Sequence, residues 1–115
     1  MRALLLIALA ASPAFAGEVE VVDARATKEA GGWRFDVTLR HEDTGWEHYA
    51  DAWRVVGPDG AVYGQRTLLH PHVDEQPFTR SLGGVAIPEG VSRVMIEARD
   101  NVDGWSPRVL ELPLP

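Results

Sequence analysis

From residue 17 onward, apolar and polar side chains alternate in short runs. Trp33, Phe35, Val37 and Leu39 interleave with Arg34, Asp36, Thr38 and Arg40. This period of two puts one face of a strand in a core and the other in water. Comparable runs occur at Glu18–Asp23, Asp51–Val56, Ala61–Leu69, Phe78–Leu82, Val91–Arg99 and Arg108–Leu112. Trp53 and Val55 share a face of the third run, and Val94, Ile96 and Ala98 share one of the sixth. Gly57-Pro58-Asp59-Gly60 and Ile87-Pro88-Glu89-Gly90 separate runs with turn chemistry, because proline presets φ and glycine accepts a positive one. Gly31-Gly32 and Gly83-Gly84 read as turn glycines, with no following helix to make a phosphate-binding loop. No window after residue 17 carries a sustained helical period. The pattern predicts an all-β domain, a seven-stranded antiparallel sandwich over residues 17–115.

The first sixteen residues follow a different logic. Arg2 precedes an apolar run from Ala3 to Ala11, Ser12-Pro13 breaks it, and Ala14-Phe15-Ala16 follows. A charged start, a short apolar segment and an A-x-A end are the parts of a secretory signal peptide. The apolar run falls short of the roughly 20 residues that span a bilayer. The expected cut follows Ala16, which makes the product periplasmic or secreted with no membrane span in the mature chain.

Composition narrows the function. The chain has 115 residues, a formal net charge of −6 and no cysteine. Loss of residues 1–16 removes Arg2 and no acid, so the mature chain is one unit more negative. An acidic chain lacks the basic footprint of a nucleic-acid binder. Without cysteine there is no disulfide, thiol nucleophile, Cys-ligated metal or lipobox anchor, and the core alone must hold the fold. There is no G-x-S-x-G, and Ser81, Ser92 and Ser106 have no histidine near them in sequence. No two carboxylates mark a recognisable cleft. The expectation is a non-enzymatic protein.

The order of strands, with Trp53 on the third, resembles immunoglobulin-like and fibronectin type III-like domains. The segments Gly45–Trp53 and His70–Arg80 resemble small exported bacterial proteins of unassigned function. The architectural resemblance implies a sandwich in which alternate links gather at opposite ends. Links one, three and five are short and glycine-rich. Links two, four and six (the B–C, C′–E and F–G loops of such a fold) span His41–Tyr49, His70–Pro77 and Asp100–Pro107. All four histidines lie in these links, and loops on a rigid sandwich are where binding groups collect.

Two readings of that end follow. One is an exported binding or accessory module for a protein or small ligand, using Trp46, Tyr49, Asp74, Glu75, Asp103 and Trp105. The other is a carrier of Zn²⁺ or Cu²⁺ held by His41, His48, His70 and His72. Imidazole nitrogen suits both ions, and Asp43, Glu47, Asp74 and Glu75 stand near in sequence as oxygen donors. Against both stands ordinary structure. The histidines serve equally well as strand-end and turn residues, and Trp46 and Trp105 as lids over the end of the sandwich.

Overall fold

A computed structural model describes residues 17–115. The expected signal peptide, residues 1–16, lies outside the described residues. The described chain contains no helix and folds into two antiparallel sheets of eight strands. The strands are β1 (Glu20–Glu29), β2 (Gly32–Arg40), β3 (Ala50–Val56), β4 (Val62–Thr67), β5 (Phe78–Val85), β6 (Arg93–Asp100), β7 (Gly104–Trp105) and β8 (Leu110–Pro113). One sheet has the order β1-β2-β5. The other runs β4-β3-β6, with β7 and β8 both pairing with β6.

The alternating faces meet between the sheets. Phe35, Val37 and Leu39 of β2 and Val94, Ile96 and Ala98 of β6 are fully buried, together with Trp53 and Val55 of β3. In β3 the register shifts between Ala50 and Ala52, so Ala50 and Trp53 both join the core although three residues apart. A bulge adds one unpaired residue and so resets the alternation.

The differences from the sequence reading have physical causes. β1 runs six residues further than the pattern predicts, to Glu29, because its second half turns only Ala24 and Ala26 toward the core. Alanine contributes little apolar area and so little periodic signal. β1 and β2 then join through a two-residue turn, with Glu29 paired to Gly32. Val22, the residue passed over at the bulge between Val21 and Asp23, is left 37% exposed. Gly83 and Gly84 are not in a turn. β5 continues through them, and they form a bulge opposite Arg34, between the pairs Phe35–Leu82 and Trp33–Val85. Gly84 has φ +64° there, a conformation open to glycine at little cost. The eighth strand arises because Gly104–Trp105 folds back onto Arg99 and Asp100 as a short hairpin, inside what the sequence pattern predicts as a loop.

Truncating the centre of this core has a calculable cost. Phe35→Ala should destabilise the domain by about 3–5 kcal/mol. It should lower the urea midpoint without changing the slope of the transition.

Candidate functional site

The three longer links leave the sheets at the same end. There the inward alternation of β2 (Phe35, Val37, Leu39) continues into His41 and Asp43, and that of β6 (Val94, Ile96, Ala98) continues into Asp100. The apolar core is thus closed at this end by one imidazole and two carboxylates. The side chains of His41, Asp43 and Asp100 are 1%, 0% and 0% exposed.

Each group has defined partners. Asp43 Oδ1 accepts from His41 Nδ1 (2.5 Å) and from the Ala50 amide (3.0 Å), and Oδ2 accepts from the His72 amide (2.7 Å). His41 Nε2 stands 2.9 Å from the carbonyl oxygen of Gly17. A carboxylate and a carbonyl can only accept, so both ring nitrogens of His41 donate and the ring is an imidazolium. Burial alone would lower its pKa. The hydrogen bonds to Asp43 and Gly17 and the charges of Asp43 and Asp100 outweigh that and raise it above 6.5. Burial likewise disfavours a charged Asp43, but its bonds from His41, His72 and Ala50 hold its pKa below the usual 3.8. Gln76 locks the same region from the β4–β5 link. Its Oε1 accepts from the His41 amide (3.0 Å) and its Nε2 donates to the His72 carbonyl (2.9 Å).

Asp100 organises the β6–β7 link. Its Oδ1 accepts from the amides of Val102 (2.9 Å) and Asp103 (2.6 Å) and faces His48 Nε2 at 3.1 Å. Its Oδ2 is buried and has no hydrogen-bond partner among the described residues, with His41 Nε2 3.8 Å away. His48 is a quarter exposed and also lies 3.5 Å from Asp103 Oδ2. One nitrogen each of His41 and His48 and one oxygen of Asp100 fall within 4.8 Å of one another.

The four imidazoles expected to form one set stand instead as two pairs. His41 and His48 meet edge to face with ring centroids 4.7 Å apart, and His70 and His72 lie 4.6 Å apart. His72 is stacked on Phe78 at 4.0 Å, and its Nε2 accepts from the Arg80 guanidinium at 2.8 Å. A cation therefore occupies the position from which a metal would approach. Burial first, then the charges of Arg80 and His70, lower the His72 pKa and favour the neutral ring. His70 is exposed, its Nδ1 beside the Pro71 carbonyl.

The six residues expected to bind a partner also divide. Trp46 is 64% exposed and packs edge-on to Tyr49, with ring centroids 5.5 Å apart. Asn101 ties that pair to the β6–β7 link. Its side chain donates to the Trp46 carbonyl and accepts from the Tyr49 amide. Asp103 is exposed beside His48, whereas Asp74 and Glu75 lie on the exposed β4–β5 link, Glu75 3.4 Å from Arg80. Trp105 is not at a loop tip. As part of β7 it lies against the sheet, its ring centroid 3.7 Å from the Arg54 guanidinium and 5.7 Å from that of Arg99. There its ring makes a cation–π contact with Arg54. Asp100, Gln76 and Asn101 lie outside the expected site, and Asp43, expected there as an oxygen donor to a metal, instead accepts from the His41 ring and from the amides of Ala50 and His72. For Asp100 the signal was present, since it occupies the next inward position after Val94, Ile96 and Ala98.

The chain is similar to a protein of Halomicrobium mukohataei named "Putative lipoprotein", 41% identical over 91 residues, which cover 76% of this chain and 43% of the relative. The chain therefore spans less than half the length of the curated relative it matches. No family model and no solved structure matches the chain.

The pKa shifts set a pH profile. His41 has a raised pKa in the folded state, so its contribution is full below about 6.5 and is lost as pH rises through the folded value. Asp43 has a lowered pKa, so its contribution is full above about 3.8 and is lost as pH falls through the folded value. Urea unfolding of the wild type and of His41→Gln from pH 4 to 9 should show the widest gap between the two proteins at about pH 4–6.5. The gap should shrink at higher pH. A constant gap would show that the ring is neutral throughout.

Proposed function

We propose that the chain is an exported binding module that recognises a protein partner through the apolar tips of the three long links. The observation that carries this reading is the placement of exposed large apolar side chains. Trp46 (64% exposed), Leu69 (75%), Val73 (52%) and Val102 (60%) all belong to those links. Burial drives such groups out of water, and their collection at one end marks an interaction surface. Trp46 has the size and amphipathic ring of an interface anchor. The buried network beneath holds the links in place, which lowers the ordering cost of binding.

Three further points support the reading. The relative's name is that of an exported, membrane-attached class of protein, in keeping with an exported chain. The matched stretch fills 43% of that relative, as a module recurring within a longer protein would. The division into two antiparallel sheets, with the first, second and fifth strands in one and the third, fourth and sixth in the other, supports a fibronectin type III-like reading. A second reading, as a Zn²⁺ or Cu²⁺ carrier, is favoured by the close approach of His41, His48 and Asp100. Neither reading calls for catalysis.

Site-specific photo-cross-linking in the exporting cell tests the first reading. A photoreactive residue at position 46 or 102 should give one discrete protein adduct. Position 62 is the control, since Val62 is 50% exposed but adjoins the short β3–β4 link at the opposite end. Leu69→Ser should weaken the adduct at 46 several-fold. Equal labelling at 46 and 62, or none at either, would overturn the reading.

A further inference from the structure

We propose that His41 Nε2, His48 Nε2 and the Asp100 carboxylate form a binding site for one divalent d-block ion, zinc or copper(II), at the end of the core. The proposal rests on the carrier reading, and it replaces the four-histidine ligand set expected from the sequence. Three observations carry it.

The first is geometric. Around a tetrahedral ion with bonds of 2.0–2.1 Å, ligand atoms sit about 3.3 Å apart. The His48 Nε2 to Asp100 Oδ1 and His41 Nε2 to Asp100 Oδ2 separations are 3.1 and 3.8 Å. One nitrogen of each ring and one Asp100 oxygen lie within 4.8 Å of one another, so the three donors must draw closer around an ion, and the wider of the two separations to Asp100 is that of the buried His41.

The second is the Asp100 Oδ2 atom. It is a fully buried carboxylate oxygen that accepts no hydrogen bond among the described residues, and it is directed toward the His41 ring. A buried anionic oxygen that accepts no hydrogen bond is costly, and a metal cation at this point would supply a direct ligand contact.

The third is the setting of His41. Its Nδ1 is held by Asp43 at 2.5 Å, the carboxylate–histidine arrangement that orients a ligating imidazole and raises its basicity. Asp43 is in turn fixed by two backbone amides. The opposite nitrogen, Nε2, faces Asp100 and the Gly17 carbonyl. On binding, the ion takes the place of the Nε2 proton, which leaves to solvent, the Gly17 carbonyl that accepts this proton moves aside, and Nδ1–H remains on Asp43. Asp103, 39% exposed with Oδ2 at 3.5 Å from His48 Nε2, stands at the solvent side as a further oxygen donor. Two nitrogens and carboxylate oxygen, in a chain with no cysteine thiolate, suit Zn²⁺ and Cu²⁺.

The test is a thermal melt of the purified protein with and without excess ZnCl₂ or CuCl₂ at neutral pH, alongside titration calorimetry. Binding to the folded state alone raises the melting temperature by mass action. The wild type should bind one equivalent and shift upward. His48→Ala, a change at a partly exposed position, should reduce affinity at least tenfold while keeping its circular dichroism. Asp100→Asn should do the same. His70→Ala should bind as the wild type does. Copper(II) electron paramagnetic resonance should show coupling to two imidazole nitrogens in the wild type and to one in His48→Ala. If the wild type neither shifts nor shows nitrogen coupling, this site and the carrier reading both fall. If metal binds but is lost in His70→Ala and kept in His48→Ala, the carrier reading stands and this ligand set is overturned.

Discussion

The buried contact between His41 and Asp43 is the constraint on which one end of the domain depends. The core consists of apolar side chains as far as Leu39 on β2 and Ala98 on β6, and then each strand places an ionisable group at the next inward position. Those groups cannot reach water, so they must satisfy one another. Asp43 meets this requirement by accepting from three residues that lie far apart in sequence: His41 at the end of β2, Ala50 at the start of β3 and His72 in the β4–β5 link. Removing one partner from such a pair leaves an uncompensated buried charge, typically at a cost of about 3–5 kcal/mol. A well-packed apolar plug would be at least as stable. What the polar plug adds is position, since hydrogen bonds fix where each link runs and apolar contacts of the same area would not.

This accounts for how the end of the molecule combines order with exposure. Trp46 and Val102 protrude into solvent, yet the backbones that carry them are joined by Asn101 and anchored through Asp100. Polar atoms specify the scaffold, and the apolar atoms are left free for contact. The reverse holds at the opposite end, where the strands are joined by short turns such as Gly57-Pro58-Asp59-Gly60. The β3–β4 turn closes on its own backbone there, with the Gly57 amide bonded to Ala61 and that of Gly60 to Gly57.

Much of the fold was legible in the sequence. The alternation in Trp33–Arg40 and Val91–Arg99 shows which faces are buried, and the odd and even order of the links brings His41, His48, His70 and His72 to one end. The site itself was legible only in part. Sequence places residues at an end of the sandwich, but it does not say which imidazole faces which neighbour. His72 is turned away from His41 by its stacking on Phe78 and its bond from Arg80, and both depend on the path of the β4–β5 link. Asp100 is hidden among many acids, most of them solvated, and Asp43 is picked out in the sequence only as an oxygen donor, not as a buried partner of His41. What distinguishes them is inward phase, readable only once the strand is extended past its last apolar residue. Trp105 reads as part of a loop because a two-residue strand has too few positions to show a period.

The two bulges of the three-stranded sheet have an effect at its margins. β1 and β5 are its outer strands, and each carries one irregularity, at Val22 and at Gly83-Gly84. A bulge bends its strand and increases the local twist, so the main-chain groups along an outer margin no longer lie in one straight row. A straight row is what a foreign strand needs in order to add on, and fibrils grow by such addition. A domain with no cysteine to staple it is thus spared open-ended stacking by an extra residue on each flank.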